Sequence, residues 1–285
     1  MASLRIIRRR IASVKNTQKI TRAMKMVSAA KLRRSQDQMM AARPYAYKIA
    51  EVIARLAQRS VPENHPLLAP RSEDKLQIVV ITSDKGLCGS FNGNVIRQAT
   101  FFPGEHPNSQ VSLTLIGKKG RDFFRRRNVS IRREYIDFFR DISYSAVADI
   151  GKEFIKDYLE GEADRIYLIF NEFKSTMQQS VVIQPLLPIG PNIPGKEDFT
   201  DYIYEPSADQ VIDDLLNKYV EVRIYHALLE SLAGEHAARM TAMDSATKNA
   251  EEMIDQLTLT FNKARQAAIT TELIEVVSGA DALQS

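Results

Sequence analysis

The chain has 285 residues, of which 44% are hydrophobic and 26% charged, with 12 Gly, 11 Pro, no Trp and a formal net charge of +4. Such a composition excludes a disordered or fibrous protein, and the single Cys88 excludes an intramolecular disulfide framework. The strongest apolar runs, Ile78 to Thr82, Ile166 to Phe170 and Val181 to Ile183, fall far short of the roughly 20 residues that a membrane span needs, so a soluble chain is expected.

The small net charge conceals a segregation. Residues 1–58 carry 14 Lys and Arg against only Asp37 and Glu51, whereas residues 206–285 carry 6 Lys and Arg against 13 Asp and Glu. The two ends of the chain therefore attract each other.

Residues 1–58 contain no Gly and a single Pro, so little opposes a continuous helix. Apolar residues recur at helical steps: Leu4, Ile7, Ile11 and Val14, then Ile20, Met24 and Val27, then Ile49, Ile53 and Leu56. Pro44 removes a backbone donor and crowds the preceding turn, so a kink or a break is expected there. The Arg-rich start has the composition of an organelle transit peptide, but the pattern runs on past residue 30 without a cleavage-like boundary and reads as part of the fold.

Arg5, Arg8, Arg9, Arg10, Lys15, Lys19, Arg22, Lys25, Lys31, Arg33 and Arg34 follow one another without an intervening acid. A self-contained helix surface would mix signs to gain pairs one turn apart, so this face needs a negative partner. Nucleic acid is one candidate, yet Met24, Met26, Val27, Ala29, Ala30 and Leu32 between the charges offer no aromatic ring for stacking on bases. A lipid surface is another, and the missing Trp and Phe anchors count against it. Flexible Met and small Ala suit an acidic protein surface that takes more than one shape.

The middle of the chain alternates β-rich runs with helical stretches. "KLQIVVITS", "VSLTLIG", "RIYLIFNEF" and "SVVIQPLLPI" read as strands, and "GNVIRQATFF", "GKKGRDFFRRR" and "SAVADIGKEFIKDYLEG" as helices. This predicts a Rossmann-like α/β domain around a largely parallel sheet. "SDKGLCGSFNGN", from Ser83 to Asn94, lies where such sheets bind ligands, but its glycine spacing matches neither phosphate-binding template. It reads as a tight strand-to-helix turn, with Cys88 packed rather than reactive. Phe123 and Phe124 in "RDFFRRR" are expected to face the core. His65, His106, His226 and His236 are scattered, and no metal or catalytic constellation emerges.

Pro185, Pro188, Pro191 and Pro194 mark an extended exit, and Pro206 with Ser207 and Gln210 forms a helix-start signature. Beyond it, Ala250, Ile254, Leu257, Phe261, Ala264 and Ala268 step by four and three as in a coiled-coil seam, followed by a second run, Ile269, Leu273, Val276, Ala280 and Leu283, one residue out of phase. A helix from Ala208 to Leu283 would extend ~115 Å. It needs a partner along much of that length, and the basic N-terminal helix complements it. The expected architecture is α/β with long terminal helices: an N-terminal coiled-coil helix (1–58), a central α/β domain with linkers (59–206) and a C-terminal coiled-coil helix (207–285), the two ends pairing antiparallel.

"RIASVKNTQKITRAMKMVSAAKLRR", "SDKGLCGSFN" and "FNKARQAAITTELIEVVSGADAL", in that order, closely resemble the γ subunits of bacterial F-type rotary ATP synthases. The resemblance implies a non-catalytic rotor shaft without a cofactor or metal. It would stand inside the hexamer of α and β subunits, rest with ε on the proton-driven c ring, and face the cytoplasm peripherally at the bacterial membrane, with no nucleic acid involved. It further implies that Arg265 and Gln266 hydrogen-bond to a β-subunit loop, that Thr270 and Glu272 make further polar contacts, and that Met24 and Lys25 slide past the acidic β tips with Arg239 and Met240 beside Met24. Small apolar residues at Ala264, Ala267, Ala268, Ile269, Leu273, Val276, Val277, Ala280 and Leu283 would serve as the pivot. Chloroplast relatives carry an inserted cysteine pair, and Cys88 alone implies no thiol switch.

Overall fold

The computed structural model describes residues 2–59, 65–140, 142–190 and 208–284. Its elements are α1 (Ala2–Arg59), β1 (Lys75–Ile81), α2 (Phe91–Glu105), β2 (Gln110–Ile116), α3 (Lys118–Phe124), β3 (Ser130–Tyr135), α4 (Tyr144–Leu159), β4 (Arg165–Phe173), β5 (Gln179–Leu187) and α5 (Ala208–Gln284), with a short 3-10 turn at Phe138–Arg140. The helix-start signature at Pro206 and Ser207, and Pro191 and Pro194 of the exit, lie outside the described residues.

The chain forms two compact units: Met1–Ser28 with Met240–Ser285, and Ala29–Arg239. The division cuts through both long helices, so the α/β unit takes with it the second half of α1 and the first part of α5.

In the α/β unit the five strands lie in the order β3-β2-β1-β4-β5. β1 pairs parallel with β2 and β4, β2 parallel with β3, and β5 returns antiparallel along β4. The period of two in β1 explains its central place. Leu76, Ile78 and Val80 pack on one face with α2 residues Val95, Ala99 and Phe102 and with Phe124 of α3. Val79 and Ile81 pack on the other face with Val147, Phe154 and Tyr158 of α4. A strand buried on both faces reads as an unbroken apolar run. Ile49 and Ile53 of α1 and Ile212, Leu216, Val220 and Ile224 of α5 join the second face, which ties the long helices to the sheet.

Two expectations change. Of the kink or break expected at Pro44, the break does not occur: α1 continues through it as one helix, because Ile49 and Ile53, buried on the sheet side, hold the following turns in helical register. β3 escaped the sequence reading because "SIRREY" has almost no apolar residues. It is an edge strand whose Arg132 and Arg133 pair with the buried Asp157 of α4, and charged side chains on an edge discourage further strand pairing.

The turn from Ser83 to Asn92 is closed by its own side chains. The Ser83 amide donates to Asn92 Oδ1 at 2.9 Å, Ser83 Oγ donates to the Lys85 carbonyl at 2.6 Å, and Asn92 Nδ2 donates to Cys88 Sγ at 3.2 Å. Gly89 takes φ +57°, the left-handed conformation that favours glycine, but Leu87 takes φ +61° beside it. Burial pushes the Cys88 thiol up, so the group is a packed residue rather than a thiolate. Phe124 is buried as expected, while Phe123 is only half-buried, with the Arg127 guanidinium over its ring.

Candidate functional site

In the smaller unit α1 and α5 run antiparallel, fixed by three contacts. Arg8 stacks over Phe261, Thr21 Oγ1 meets Thr247 Oγ1 at 2.8 Å, and Lys25 Nζ donates to Asp244 Oδ1 at 2.5 Å. Each advance along α1 is matched by an equal retreat along α5. The shielded positions of α5 are Ala250, Ile254, Leu257, Phe261, Ala264 and Ala268, which is the seam that its spacing announces.

On α1 the seam differs from the apolar spacing. Leu4, Ile7, Ile11 and Val14 are shielded, but the next positions are Gln18, Thr21, Met24 with Lys25, and Ser28. Ile20 and Val27, which belong to the same apolar spacing as Met24, are 60% and 56% exposed. Keeping steps of three and four leads the seam onto small polar residues, and Thr21 is satisfied there by Thr247. The apolar spacing therefore marks two faces of one helix, one turned to α5 and one left bare.

The same register sets where α5 loses its partner. Phe261 lies opposite Arg8, so the start of α1 falls opposite the region of Ala268. From Ile269 to Ser278 every residue of α5 is exposed, including Ile269, Leu273, Ile274, Val276 and Val277, and the last two are 70% and 58% bare. The side chains of Ala280 and Leu283 lie outside the described residues. Bare apolar side chains clustered over more than two turns mark an interaction surface. Ile6, Ile20, Met26 and Val27 add exposed apolar groups on α1.

The residues implied as contacts fall into three groups. Arg265, Gln266, Thr270 and Glu272 sit on the exposed end of α5, where Thr270 Oγ1 donates back to the Gln266 carbonyl at 2.9 Å. Met24 and Lys25 are half-buried at the seam. Lys25 and Lys248 hold the Asp244 carboxyl below its ordinary range, and the register seats Asp244, one turn beyond Met240, opposite Lys25. Arg239 belongs to the α/β unit. Its guanidinium donates to Glu235 at 2.6 Å and to the carbonyls of Gly86 and Lys85 at 3.1 and 3.3 Å, so it fastens α5 to the Ser83–Asn92 turn.

Of the cations from Arg5 to Arg34, Lys25 alone forms an ion pair with α5 among the described residues. All the others are exposed. The opposite charges of the two ends thus do not neutralise each other by direct pairing, and a basic face is left for an outside surface.

The described residues hold no group of three or more His, Cys, Asp or Glu placed to bind a metal ion. None of the helices is long and apolar enough to cross a membrane among the described residues.

The family model for ATP synthase matches residues 3–283. The ATP synthase gamma chain of Geobacter metallireducens is 50% identical over 287 residues, and that of Pelotomaculum thermopropionicum 50% identical over 285, each alignment covering both chains completely. Among solved structures, the central stalk with c-ring of the Tetrahymena thermophila mitochondrial ATP synthase superposes with a TM-score of 0.63 at 25% identity, covering 80% of this chain and 99% of that one. A chain of the Euglena gracilis mitochondrial assembly of OSCP, F1 and c-ring shares the fold at a TM-score of 0.69 and 20% identity, covering 99% and 95%.

Proposed function

The chain belongs to the ATP synthase gamma-chain family, and from that premise we propose how its surfaces perform the family's task. It is a stalk subunit, not a catalytic one: the central rotor shaft of an F-type ATP synthase, linking a proton-driven c ring to the α and β subunits that handle ATP. The bare stretch from Ile269 to Val277 carries this reading. A helix end that outruns its intramolecular partner yet stays apolar fits the centre of a ring of larger subunits, where it contacts several walls in turn.

Torque enters through the segments nearest the c ring and is delivered by asymmetry of the shaft. Turning places the apolar tip, the polar group of Arg265, Gln266, Thr270 and Glu272, and the basic face of α1 against different β subunits in succession. Each β subunit then meets a different set of contacts, and only such differential contacts shift a conformational equilibrium. The exposed cations from Arg5 to Arg34 suit acidic β tips. Arg239 acts one step back, keeping α5 fixed to the α/β unit while Met24, Lys25 and Met240 meet the partner. In this scheme residues 1–58 and 207–285 form the shaft, and residues 59–206 form the body that rests on ε and the c ring, peripheral to the cytoplasmic face of the bacterial plasma membrane.

Replacing Arg265 and Gln266 together by Ala tests the contact assignment. Both are exposed, so the isolated chain should unfold at an unchanged midpoint, while ATP hydrolysis by the reassembled complex should fall about tenfold. That loss corresponds to about 1.4 kcal/mol of coupling. Full turnover in the double variant would remove these two residues from the torque path.

A further inference from the structure

The α/β unit contains a cavity of about 520 Å³ that the rotor reading leaves unused, lined in part by Lys31, Asp84, Lys85, Arg140, His236 and Arg239. It lies where an open α/β sheet places ligands, beyond the C-terminal ends of parallel strands. Asp84 and Lys85 follow β1, Asp137 and Arg140 follow β3, Lys31 comes from α1, and Glu235, His236 and Arg239 come from α5.

Its charges do not cancel. Asp84 Oδ1 already accepts the amides of Lys118 at 3.0 Å and Asp137 at 3.1 Å, and Glu235 is taken by Arg239 at 2.6 Å. With Arg239 matched to Glu235, the cations Lys31, Lys85 and Arg140, which form no ion pair among the described residues, face the carboxylates of Asp84 and Asp137, so the lining keeps an excess of one positive charge. At the wall stands His236, 8% exposed, whose Nδ1 has no hydrogen-bond partner. Burial, then Arg239, then Lys31 push its pKa down to about 4, so the ring is neutral at pH 7 and its orphaned nitrogen can present a proton. A buried polar atom left unpaired beside a roomy, positively charged space signals a missing acceptor.

We propose that this cavity binds a phosphoryl oxyanion, free or as part of a nucleotide, with Lys85, Arg140 and Lys31 supplying charge and His236 Nδ1 donating one hydrogen bond. The site shares Lys31 with the basic face of α1 and Arg239 with the anchor of α5, but its binding of an oxyanion does not depend on the rotor reading. The Ser83–Asn92 turn supplies Lys85, not a glycine cradle, which explains how a loop lacking both phosphate-binding spacings can still border such a site.

The test uses the full-length chain with histidine-selective ¹⁵N labelling, titrated at constant ionic strength with inorganic phosphate, pyrophosphate, ADP and adenosine. Phosphate and pyrophosphate should shift the His236 ring nitrogens saturably and leave His65, His106 and His226 in place. Lys85→Gln and Arg140→Gln, both at exposed positions, should each weaken binding about tenfold or more without moving the unfolding midpoint. Binding of ADP tighter than pyrophosphate, with adenosine silent, would identify the nucleotide as the source of the phosphoryl group; equal binding would identify the free anion. A response to adenosine alone, no saturable shift at His236, or undiminished binding in both variants would overturn the proposal.

Discussion

Residues that reach the protein interior with a charge or a polar ring are the most constrained in this molecule. Glu235 and Arg239 are 5% and 8% exposed one turn apart. Burial pushes the Glu235 carboxyl up, although Arg239 pulls against it. Arg239→Ala would leave that carboxylate buried without its cation and cut the link to the 85–86 carbonyls, so stability in urea should fall by about 3 kcal/mol. His236 is the complementary case. Its folded-state pKa lies below the ordinary 6.5, near 4, so the stability it confers is complete above 6.5 and is lost as the pH falls, because the unfolded chain takes up a proton that the folded chain refuses. Between pH 6.5 and 4 this single group should remove up to about 1.4 kcal/mol per pH unit, and His236→Gln should flatten that part of a denaturation-versus-pH curve. Neither role is visible in sequence: His236 reads as one of four scattered histidines, and only the fold surrounds it with Arg239 and Lys31. Cys88 was legible, since a lone cysteine in a glycine-bearing turn with no nearby histidine is usually packed.

Among the elements, α1 departs most from its own pattern. Its apolar spacing places Leu4, Ile7, Ile11, Val14 and later Met24 at the seam, but the other residues turned to α5 beyond Val14 are Gln18, Thr21, Lys25 and Ser28, while Ile20 and Val27 face out. A period of three and four residues fixes which positions share a face, but not which of two apolar faces meets the intramolecular partner. Pro44 is a second departure. It lies within an unbroken helix at an exposed position, where it removes one backbone bond and crowds the carbonyl of Met40. Pro44→Ala should therefore stabilise the chain by about 1–3 kcal/mol, read as a higher urea midpoint; a lower midpoint would show that the fold depends on the proline. β3 was missed for the opposite reason, since an edge strand carrying ion pairs shows none of the apolar alternation by which strands are recognised.

At the scale of the whole molecule, each of the long helices serves two compact units, and α5 ends beyond the reach of α1. Because no described residue after Ala268 is buried, removing residues 269–285 should shift the unfolding free energy of the remaining chain by less than about 0.5 kcal/mol. The same truncation should reduce ATP hydrolysis by the reassembled complex several-fold. A large loss of stability with intact turnover would reverse the division of labour proposed for the tip.

By itself the sequence determined the element types and their order apart from β3, the α5 seam, the buried central strands and the basic character of α1, because helical and strand periods, turn residues and charge runs are local properties. Only the tertiary structure decided the strand order β3-β2-β1-β4-β5, the polar continuation of the α1 seam, the anchoring of Arg239 on the 85–86 carbonyls and the cavity beside His236. These depend on which surfaces meet after residues far apart in the chain are brought together. A side chain's partner and its degree of burial then override its own preference.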